Sequence, residues 1–403
     1  MNFDDNSLYN IKSSVDGKRY SLFELATWKN GLAFKKINFC ETGVPVIKIA
    51  ELNNGIGGTT AYTQQTFSED VHLCKGDLLF SWSGNPQTSI DIFRFNLDEG
   101  WLNQHIFKVT PDEKIVDRDY FYFLMKNLKP HFTQIATNKQ TTGLGHVTIA
   151  DIKRMSVVIP SLDVQREMVS YIKPIDDKIE LNNEINNNLE QQAQAIFENE
   201  FLSLQSLPDG WKQASLIDIA DYLNGLAMQK YRPSANEIGI PVLKIKELRQ
   251  GCCDDNSEFC SPSIKSDYII HDGDVIFSWS GSLLVDFWCG GICGLNQHLF
   301  KVSSSNYDKW FYYAWTKHHL DRFIAVAADK ATTMGHIKRD ELAKAEVLIP
   351  NETDYNRIGA LLQPIYDLII SNRIENKKLA ETRDSLLPKL MSGEIDMSEV
   401  DYE

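Results

Sequence analysis

The residue types best suited to chemistry lie in a polar loop that the chain contains twice. The first copy covers residues 138–146 and the second covers residues 329–336, and each combines hydroxyls, a lysine, a histidine and at least one glycine. Small hydrogen-bond donors on a glycine-bearing loop can reach phosphate oxygens. We therefore interpret the two loops as contacts to an anion, with an ordinary polar turn as the alternative.

The chain carries no credible set of catalytic residues. It lacks a glycine-rich phosphate loop ending in Lys-Ser/Thr, a glycine-rich turn suited to a dinucleotide or a methyl donor, and the Asn-Pro-Pro-aromatic signature of amino-methyltransferases. His105 and His298 each follow Asn-Gln and precede an apolar strand, which favours a hydrogen-bonded structural role over that of a base. The sequence thus predicts a protein without a catalytic site.

Cysteine spacing does not indicate a metal site. Five of the seven cysteines lie between residues 252 and 293, but they form no Cys-x2-Cys pattern. The odd count without a disulfide framework favours free thiols and a reducing compartment. The start is polar and acidic, and no run approaches the roughly 18 apolar residues of a membrane span. We expect a cytoplasmic protein with no metal and no membrane partner.

The polar loops belong to a repeat that extends over most of the chain. Phe-Ser-Trp-Ser-Gly occurs at residues 80–84 and again at residues 277–281 of the 403. Further matches pair Gly31-Leu32-Ala33 with Gly225-Leu226-Ala227, Asn103-Gln104-His105 with Asn296-Gln297-His298, and Ile159-Pro160 with Ile349-Pro350. Two copies are too few for a solenoid, so the repeat predicts two globular domains, residues 1–160 and residues 207–350.

Each domain has the pattern of a mixed, strand-rich α+β fold. Short runs rich in Val, Ile and Phe predict strands over residues 44–49, 77–82 and 106–109, and a helix with one aromatic face is predicted over residues 119–136. The second copy repeats this order. The copies differ in two pairs of segments: residues 53–68 against 249–263, and residues 86–101 against 283–295.

The acidic charge is concentrated between and after the two domains. The net charge is −14, of which the domains 1–160 and 207–350 carry 0 and −3. The connecting segments, a central spacer of residues 161–206 and a C-terminal region of residues 351–403, carry −6 and −5. A neutral domain can still present a basic face to phosphate, whereas the acidic segments are expected to stay away from it.

Both connecting segments have the apolar periodicity of a helix with a narrow seam. The seam residues, which include two asparagines in each copy, are Ile175, Ile179, Asn182, Asn186 and Leu189 in the first segment and Ile365, Ile369, Asn372, Asn376 and Leu379 in the second. An asparagine at a seam position fixes the register and partner of a coiled coil. We therefore predict that two long helices pair as an antiparallel coiled coil. A helix from Ile175 to Asn199 would be about 37 Å long at about 1.5 Å per residue. The alternative is that each helix packs only on its own domain.

Matched prolines lead to a further expectation. Pro174 and Pro364 occupy equivalent positions near the start of each seam. Because proline inside a helix breaks or kinks it, we expect each segment to form a short helix, a bend and a long helix.

The combination resembles the specificity subunit of type I restriction–modification systems over nearly the whole chain. The residues that carry the resemblance are the two Gly-Asp-x-x-Phe-Ser-Trp-Ser-Gly runs, the Thr-Thr-x-x-Gly-His loop ahead of Ile-Pro, and the terminal run from Leu386 to Ile395. One departure is that the first copy ends in Ala195-Ile196-Phe197-Glu198-Asn199 without a Leu-Pro-Lys-Leu run, which is compatible with a linker into the second copy.

The resemblance implies a non-catalytic subunit that binds double-stranded DNA. Each domain would recognise one half of a bipartite target, and the divergent loops imply that the half-sites differ. The helices would set the spacing and dock two methyltransferase subunits, which restriction (motor-nuclease) subunits join. S-adenosylmethionine, ATP and Mg²⁺ would be bound by those partners, with no cofactor in this chain.

Candidate DNA-binding residues are cationic, hydroxyl, amide and imidazole side chains in or near the repeated motifs. They are Lys35, Lys36, Ser83, Asn85, Arg94, Lys139, Gln140, Thr141, Thr142, His146, Lys230, Arg232, Ser280, Ser282, Lys330, Thr332, Thr333 and His336. Two other functions fit a pseudo-symmetric chain: a protein-binding scaffold, and a DNA reader of another methyltransferase or nuclease defence system. A fused enzyme would need a catalytic domain of at least ~150 residues, for which we expect no room.

Overall fold

The computed structural model describes residues 5–141, 143–254, 256–329, 337 and 339–395. Two units divide the chain, one formed by residues Met1–Asp176 with Glu381–Glu403 and the other by residues Asp177–Ala380. Both division points fall inside the connecting segments. Among the described residues, no helix is long and apolar enough to cross a membrane.

The first unit is built from short strands and short helices. The strands are β1 (Lys18–Ser21), β2 (Ala26–Asn30), β3 (Val44–Ile47), β4 (Tyr62–Thr63), β5 (His72–Cys74), β6 (Leu78–Ser81), β7 (Ser83–Gly84), β8 (Asp91–Arg94), β9 (Glu99–Leu102), β10 (Ile106–Pro111), β11 (Gly145–His146) and β12 (Ser156–Ile159). The helices are α1 (Asp5–Tyr9), α2 (Ile49–Asn54), α3 (Arg118–Asn127), α4 (Lys129–Asn138) and α5 (Ile149–Arg154).

A four-stranded sheet in the order β2-β10-β6-β8 forms the main layer of the first unit. Phe80 on its central strand packs against Phe132 of α4, with ring centroids 4.9 Å apart, and Phe121 of α3 is fully buried in the same core. α3 begins after Asp117, whose side chain caps the helix by accepting two backbone N–H groups of the first turn. The single helix predicted over residues 119–136 is two helices divided at Leu128, and the predicted aromatic face covers the sheet.

A second sheet in the order β4-β3-β9-β5 forms a lobe with its own small core. β3 and β9 are parallel, whereas the two outer pairings are antiparallel. Val46, Leu73 and Trp101 lie in this core, and the long connections that differ between the two copies run to and from these strands. The lobe therefore places the variable segments on a rigid support.

The second unit repeats this architecture. Its strands are β13 (Lys212–Ser215), β14 (Asp221–Asn224), β15 (Ile240–Leu243), β16 (Phe259–Cys260), β17 (Ile269–Ile270), β18 (Val275–Ser278), β19 (Leu284–Phe287), β20 (Cys293–Leu295), β21 (Leu299–Ser303) and β22 (Glu346–Ile349). Its short helices are α7 (Leu216–Ile219), α8 (Ile245–Gln250), α9 (Lys309–His318), α10 (Leu320–Asp329) and α11 (Arg339–Ala343). The sheet orders β14-β21-β18-β19 and β16-β15-β20-β17 match those of the first unit, so the repeated mixed fold predicted from the sequence is confirmed.

The two connecting segments form long helices that continue through their prolines. α6 covers Leu162–Phe197 and contains Pro174, and α12 covers Glu352–Ser392 and contains Pro364. The prediction that each proline divides its segment into two helices is wrong. Proline costs a helix interior about 3 kcal/mol, but Leu362 and Tyr366 are both buried in one core on either side of Pro364. Packing on both sides therefore holds the helix together across the missing hydrogen bond.

α6 and α12 pair in antiparallel orientation. In the second unit, Asn182 Nδ2 donates to Asn376 Oδ1 at 2.8 Å. One turn further along α6, Asn186 Oδ1 accepts from Asn372 Nδ2 at 2.9 Å. The contacts thus move toward the C-terminus of α6 and toward the N-terminus of α12. The predicted antiparallel pair is confirmed, and the alternative in which each helix packs only on its own domain is wrong.

The remaining predicted seam positions differ in how deeply they are covered. Ile369 is buried, and the half-buried seam residues are Ile175, Ile179, Leu189, Ile365 and Leu379. In the first unit, Leu387 and Leu390 near the end of α12 enter the same core as Ile172 of α6. The C-terminal part of the chain therefore completes the core of the unit formed by its N-terminal part.

The buried amide pair predicts a specific stability pattern. Asn186→Leu should lower the free energy of unfolding by about 1–3 kcal/mol, because Asn372 Nδ2 would remain buried without its acceptor. The double change Asn186→Leu with Asn372→Leu should recover most of this loss, since it removes both polar groups together. Urea denaturation followed by circular dichroism measures both effects.

Asn187→Leu is the matched control, because Asn187 is the exposed neighbour on α6. It should change stability by no more than about 0.5 kcal/mol. A single Asn186→Leu variant as stable as this control would show that the amide pair does not stabilise the seam.

Candidate nucleic-acid interface

Two motifs about sixty residues apart in the sequence lie side by side in the first unit. β7, which follows Trp82, pairs with β11 at the end of the polar loop, so that Ser83 lies opposite His146. The backbone N–H of Val147 also donates to the carbonyl of Trp82 at 2.8 Å. Only glycine fits at Gly145, because a Cβ there would lie 2.3 Å from the carbonyl oxygen of Ala136. The fold thus joins the Trp motif and the loop into one surface.

The side chain of Trp82 organises a polar cluster at the rim of this surface. Its indole N–H donates to Asn30 Oδ1 at 3.1 Å, and its ring lies between those of His105 and Phe107, with centroids 5.6 and 5.7 Å away. Gln104 Nε2 and His105 Nε2 are 3.0 Å apart. Asn30 and His105 are exposed, so the cluster combines a half-buried aromatic ring with accessible amide and imidazole groups.

The second unit repeats the cluster around Trp279. The indole N–H donates to Asn224 Oδ1 at 2.9 Å, the ring of His298 lies 6.1 Å away, and Gln297 Nε2 is 3.2 Å from His298 Nε2. Ile337 N–H donates to the carbonyl of Trp279 at 3.0 Å, as Val147 does in the first unit.

A groove of about 820 Å³ adjoins this cluster in the second unit. Its lining includes Asn224, the aromatic rings of Trp279 and Tyr268, and two charged residues, Asp221 and Arg339. Arg339 is exposed and makes no ion pair with any described residue. The groove therefore offers a cation, a carboxylate, an amide and four aromatic side chains to a ligand.

The predicted DNA-binding residues fall into three groups by accessibility. The exposed ones are Lys35, Lys36, Asn85, Lys139, Gln140, Thr141, Lys230, Arg232 and Ser282, the half-buried ones are Ser83, Arg94 and His146, and Ser280 is buried. Five lie outside the described residues: Thr142, Lys330, Thr332, Thr333 and His336. Asn85 also shapes its own turn, because its Oδ1 accepts from the backbone N–H groups of Gln87 and Thr88.

The exposed cations Lys35 and Lys36 immediately precede an apolar residue that is unusually exposed. Ile37 is 84% exposed, and Ile238 in the second unit, a few residues after Lys230 and Arg232, is 93% exposed. Arg232 pairs with Glu258 at 2.8 Å but is still half exposed. These segments combine accessible positive charge with an almost fully exposed isoleucine, which suits contact with a polyanion that also has apolar groups.

The structure places Lys139 in an ion pair, which does not agree with its predicted role as a free DNA contact. Its Nζ lies 2.5 and 2.6 Å from the two carboxylate oxygens of Asp151, which is 2% exposed and also accepts from Thr148 and Tyr9. A buried carboxylate needs a cation and donors. Burial raises the pKa of Asp151, but the hydrogen bonds from Lys139 and Thr148 outweigh it and hold that pKa below its usual value. Lys139 thus supports the first core instead of standing free for phosphate.

Arg94 and Ser280 also have internal roles. Arg94 is 17% exposed, bonds Asp119 at 2.9 Å and Asp176 at 3.2 Å, and stacks 4.0 Å above the ring of Tyr122. Its guanidinium therefore links β8 to α3 and α6 through ion pairs. Ser280 is 2% exposed. The prediction that these two side chains contact DNA does not agree with their burial.

Asn30, Asn224 and the Gln–His pairs were missed or assigned a purely structural role. The available signal was identity between copies, since Asn30 and Asn224 both precede a Gly-Leu-Ala triplet. No group of three or more His, Cys, Asp or Glu residues is placed to hold a metal ion within the described part of the chain.

The family comparison identifies the repeated unit. A family model described as "Type I restriction modification DNA specificity domain" matches residues 15–191 and again residues 208–381. The chain belongs to this family. The two matches cover both polar clusters and most of both long helices. The sequence-based assignment to type I specificity subunits is confirmed.

Named relatives agree with the assignment. The type I restriction enzyme MjaIX specificity subunit of Methanocaldococcus jannaschii is 25% identical over 325 residues, which cover 74% of this chain and 73% of the relative. The HindI specificity subunit of Haemophilus influenzae is 21% identical over 400 residues, covering 80% and 87%. A crystal structure of a type I restriction–modification system S subunit from M. genitalium matches 94% of this chain and 97% of that chain with a TM-score of 0.52 at 12% identity, which indicates the same fold.

The Lys139–Asp151 pair makes the corrected role testable. Lys139→Ala should lower the free energy of unfolding by about 1–3 kcal/mol, because Asp151 would lose its cation in the core. Lys139 is 37% exposed, so solvent screening places the value below that of a fully buried pair. Urea denaturation at pH 7 measures the loss.

The contribution of the Lys139–Asp151 pair to the free energy of unfolding should depend on pH in one direction. Because the pKa of Asp151 is lower in the folded state, the pair stabilises the fold above the unfolded pKa near 4, and the contribution disappears as pH falls through the folded value. The difference between wild type and Lys139→Ala should therefore shrink below about pH 4. The exposed Lys114→Ala is the control. If Lys139→Ala were as stable as Lys114→Ala but bound DNA more weakly, Lys139 would be a phosphate contact after all.

Proposed function

We propose that this chain is the DNA-reading subunit of a type I restriction–modification complex and that it performs no chemistry itself. The observation that carries the proposal is the double match to the DNA specificity domain, each match containing the same pair of sheets. Two copies of one binding domain suit a target with two parts. The relatives are named as specificity subunits of restriction enzymes, which supports action within a multi-subunit complex.

The two half-sites are proposed to differ in sequence. The same lobe sheet supports different connections in the two units: residues 55–61 between α2 and β4 in the first, and residues 251–258 between α8 and β16 in the second. The connection from β6 to β8 spans residues 82–90 and contains β7, whereas the equivalent connection from β18 to β19 spans only residues 279–283. Base edges in the major groove distinguish all four base pairs. Different side chains on a shared scaffold therefore read different bases, and the target is asymmetric.

The helices are proposed as the dock for two methyltransferase subunits, with restriction subunits joining the larger complex. The two connecting segments carry −11 of the net charge of −14, so they suit contact with protein and disfavour contact with phosphate. S-adenosylmethionine, ATP and Mg²⁺ are assigned to those partner subunits. This chain would contribute target choice and spacing.

The proposed absence of catalysis in this chain can be tested with purified subunits. The purified chain, incubated with DNA and either S-adenosylmethionine or Mg²⁺, should neither methylate nor cut. Addition of the methyltransferase subunits from the same host should produce sequence-specific methylation, whereas those subunits without this chain should methylate no specific site. Turnover by highly purified chain alone would contradict the proposal, and failure of the combined subunits to bind DNA would favour a protein-binding scaffold.

The paired helices give a test of the spacing. Four residues inserted after Asn186 lengthen α6 by about 6 Å. The matching insertion belongs after Ser371, because Asn186 pairs with Asn372 and both amide contacts are then retained. Since base pairs are about 3.4 Å apart, the unread gap of the target should grow by about two base pairs. Methylome sequencing of a host carrying the variant measures the gap.

A loop insertion provides the control. The same four residues placed after Asn306, between β21 and α9, should leave the gap unchanged, because this exposed turn lies outside the helix pair. An unchanged gap in the helix variant, in a protein that still methylates, would show that the helices do not set the spacing.

A further inference from the structure

The most informative unassigned feature is a set of identical polar groups at the rim of both units. Asn30 and Asn224 each accept a hydrogen bond from an indole N–H, and each stands near a Gln–His pair. These residues are the same in the two units although the neighbouring connections differ. Both asparagines are exposed, so a shared need for core packing does not explain why they are the same.

The tryptophan determines which end of each amide faces outward. An indole nitrogen can only donate, so the bond from Trp82 fixes Asn30 Oδ1 toward the ring and directs the Nδ2 amino group away from it. Nδ2 of Asn30 has no partner among the described residues. In the second unit Asn224 Nδ2 makes only a long contact of 3.4 Å with the carbonyl of Gly225. Each unit therefore presents a fixed, underused donor to solvent.

The structural requirement alone does not select asparagine. Trp82 and Trp279 need only an acceptor, and an aspartate of the same shape would supply one. The amide differs from a carboxylate in carrying donors and no charge. Retention of the amide in both units thus draws attention to Nδ2, and a donor of this kind is suited to an anionic oxygen.

We propose that Asn30 and Asn224, oriented by Trp82 and Trp279, donate hydrogen bonds to DNA phosphates, one in each half-site. This inference rests on the proposed DNA-reading function. A phosphate contact is independent of sequence, so identical residues can serve two half-sites that differ in sequence. The Gln–His pairs lie in the same clusters and extend the set of polar groups.

The surroundings of the two asparagines differ in charge. Asp221 and Arg339 line the groove beside Asn224, and the strand register puts Thr27 in the first unit at the place of Asp221. Arg339 offsets the carboxylate, so the second contact is still compatible with phosphate.

The test uses substitution by aspartate, which retains the acceptor for tryptophan and replaces the donor with a negative charge. Asn30→Asp and Asn224→Asp should each weaken DNA binding of the full chain, assembled with its methyltransferase subunits, by about tenfold or more. The loss should be equal on cognate and unrelated duplexes. The thermal midpoint should be unchanged because the indole bond is kept.

Asn306→Asp is the matched control for added charge. Asn306 is exposed, and it follows β21 at the opposite end from His298. It should leave affinity within about twofold. A loss confined to cognate DNA would mean that the asparagines read bases, and wild-type affinity in both variants would mean that they do not touch DNA; either result overturns the inference. Loss of subunit assembly would instead assign the surface to protein and would also overturn it.

A modified duplex separates phosphate contact from a structural effect. Single methylphosphonates, which remove the charge of one phosphate, are placed across each half-site of the cognate duplex. At one position per half-site the wild type should lose affinity. At that position the affinities of the wild type and the aspartate variant should differ by about twofold or less. An affinity ratio that is the same at all positions contradicts the inference. If wild-type complex bound no DNA, the proposed function itself would fail, which is a distinguishable result.

Discussion

The hydrogen-bonded amides between α6 and α12 are the constraint on which the rest of the structure depends. A buried Asn that loses its partner costs about 1–3 kcal/mol, so only a register that pairs Asn186 with Asn372 is acceptable. A slip of one residue turns a helix by about 100°. The same slip would turn Ile369, which is buried in the core of the second unit, away from that core. The polar contact in the seam thereby fixes the apolar packing of the same helix within this unit.

The two units show how one scaffold tolerates opposite chemistry at one place. Arg94 lies opposite Leu78 in the register of the first sheet, and the equivalent position opposite Val275 is Phe287. Arg94 is balanced by Asp119 and Asp176, whereas Phe287 stacks on an aromatic ring 3.9 Å away. Buried ion pairs and apolar contacts of similar volume are often close in stability. The site therefore retains its fold with either solution, provided that all members change together.

Repetition within the chain made much of the fold predictable. The offset motifs indicated two similar domains, and the narrow stripe with matched asparagines indicated a helix pair. The errors share a physical cause, since each depended on packing or pairing that only the folded chain shows. Lys139 reads as a free cation until the fold brings buried Asp151 to it. Arg94 is satisfied by a carboxylate 82 residues away. Pro364 reads as a helix break until the core on both sides is known.

Identity between the two copies has to be separated into packing and function. Gly31 and Gly225 are identical for a packing reason, because a Cβ would lie 2.1 and 2.2 Å from a carbonyl oxygen of the neighbouring chain segment. The residues immediately before them, Asn30 and Asn224, are exposed and would satisfy tryptophan equally well as aspartate. Geometry explains the glycines completely and the asparagines only in part. The unexplained part is a donor pointing outward, and in a DNA-reading protein such a donor, kept the same while the base-reading segments diverge, is suited to the part of DNA that does not vary.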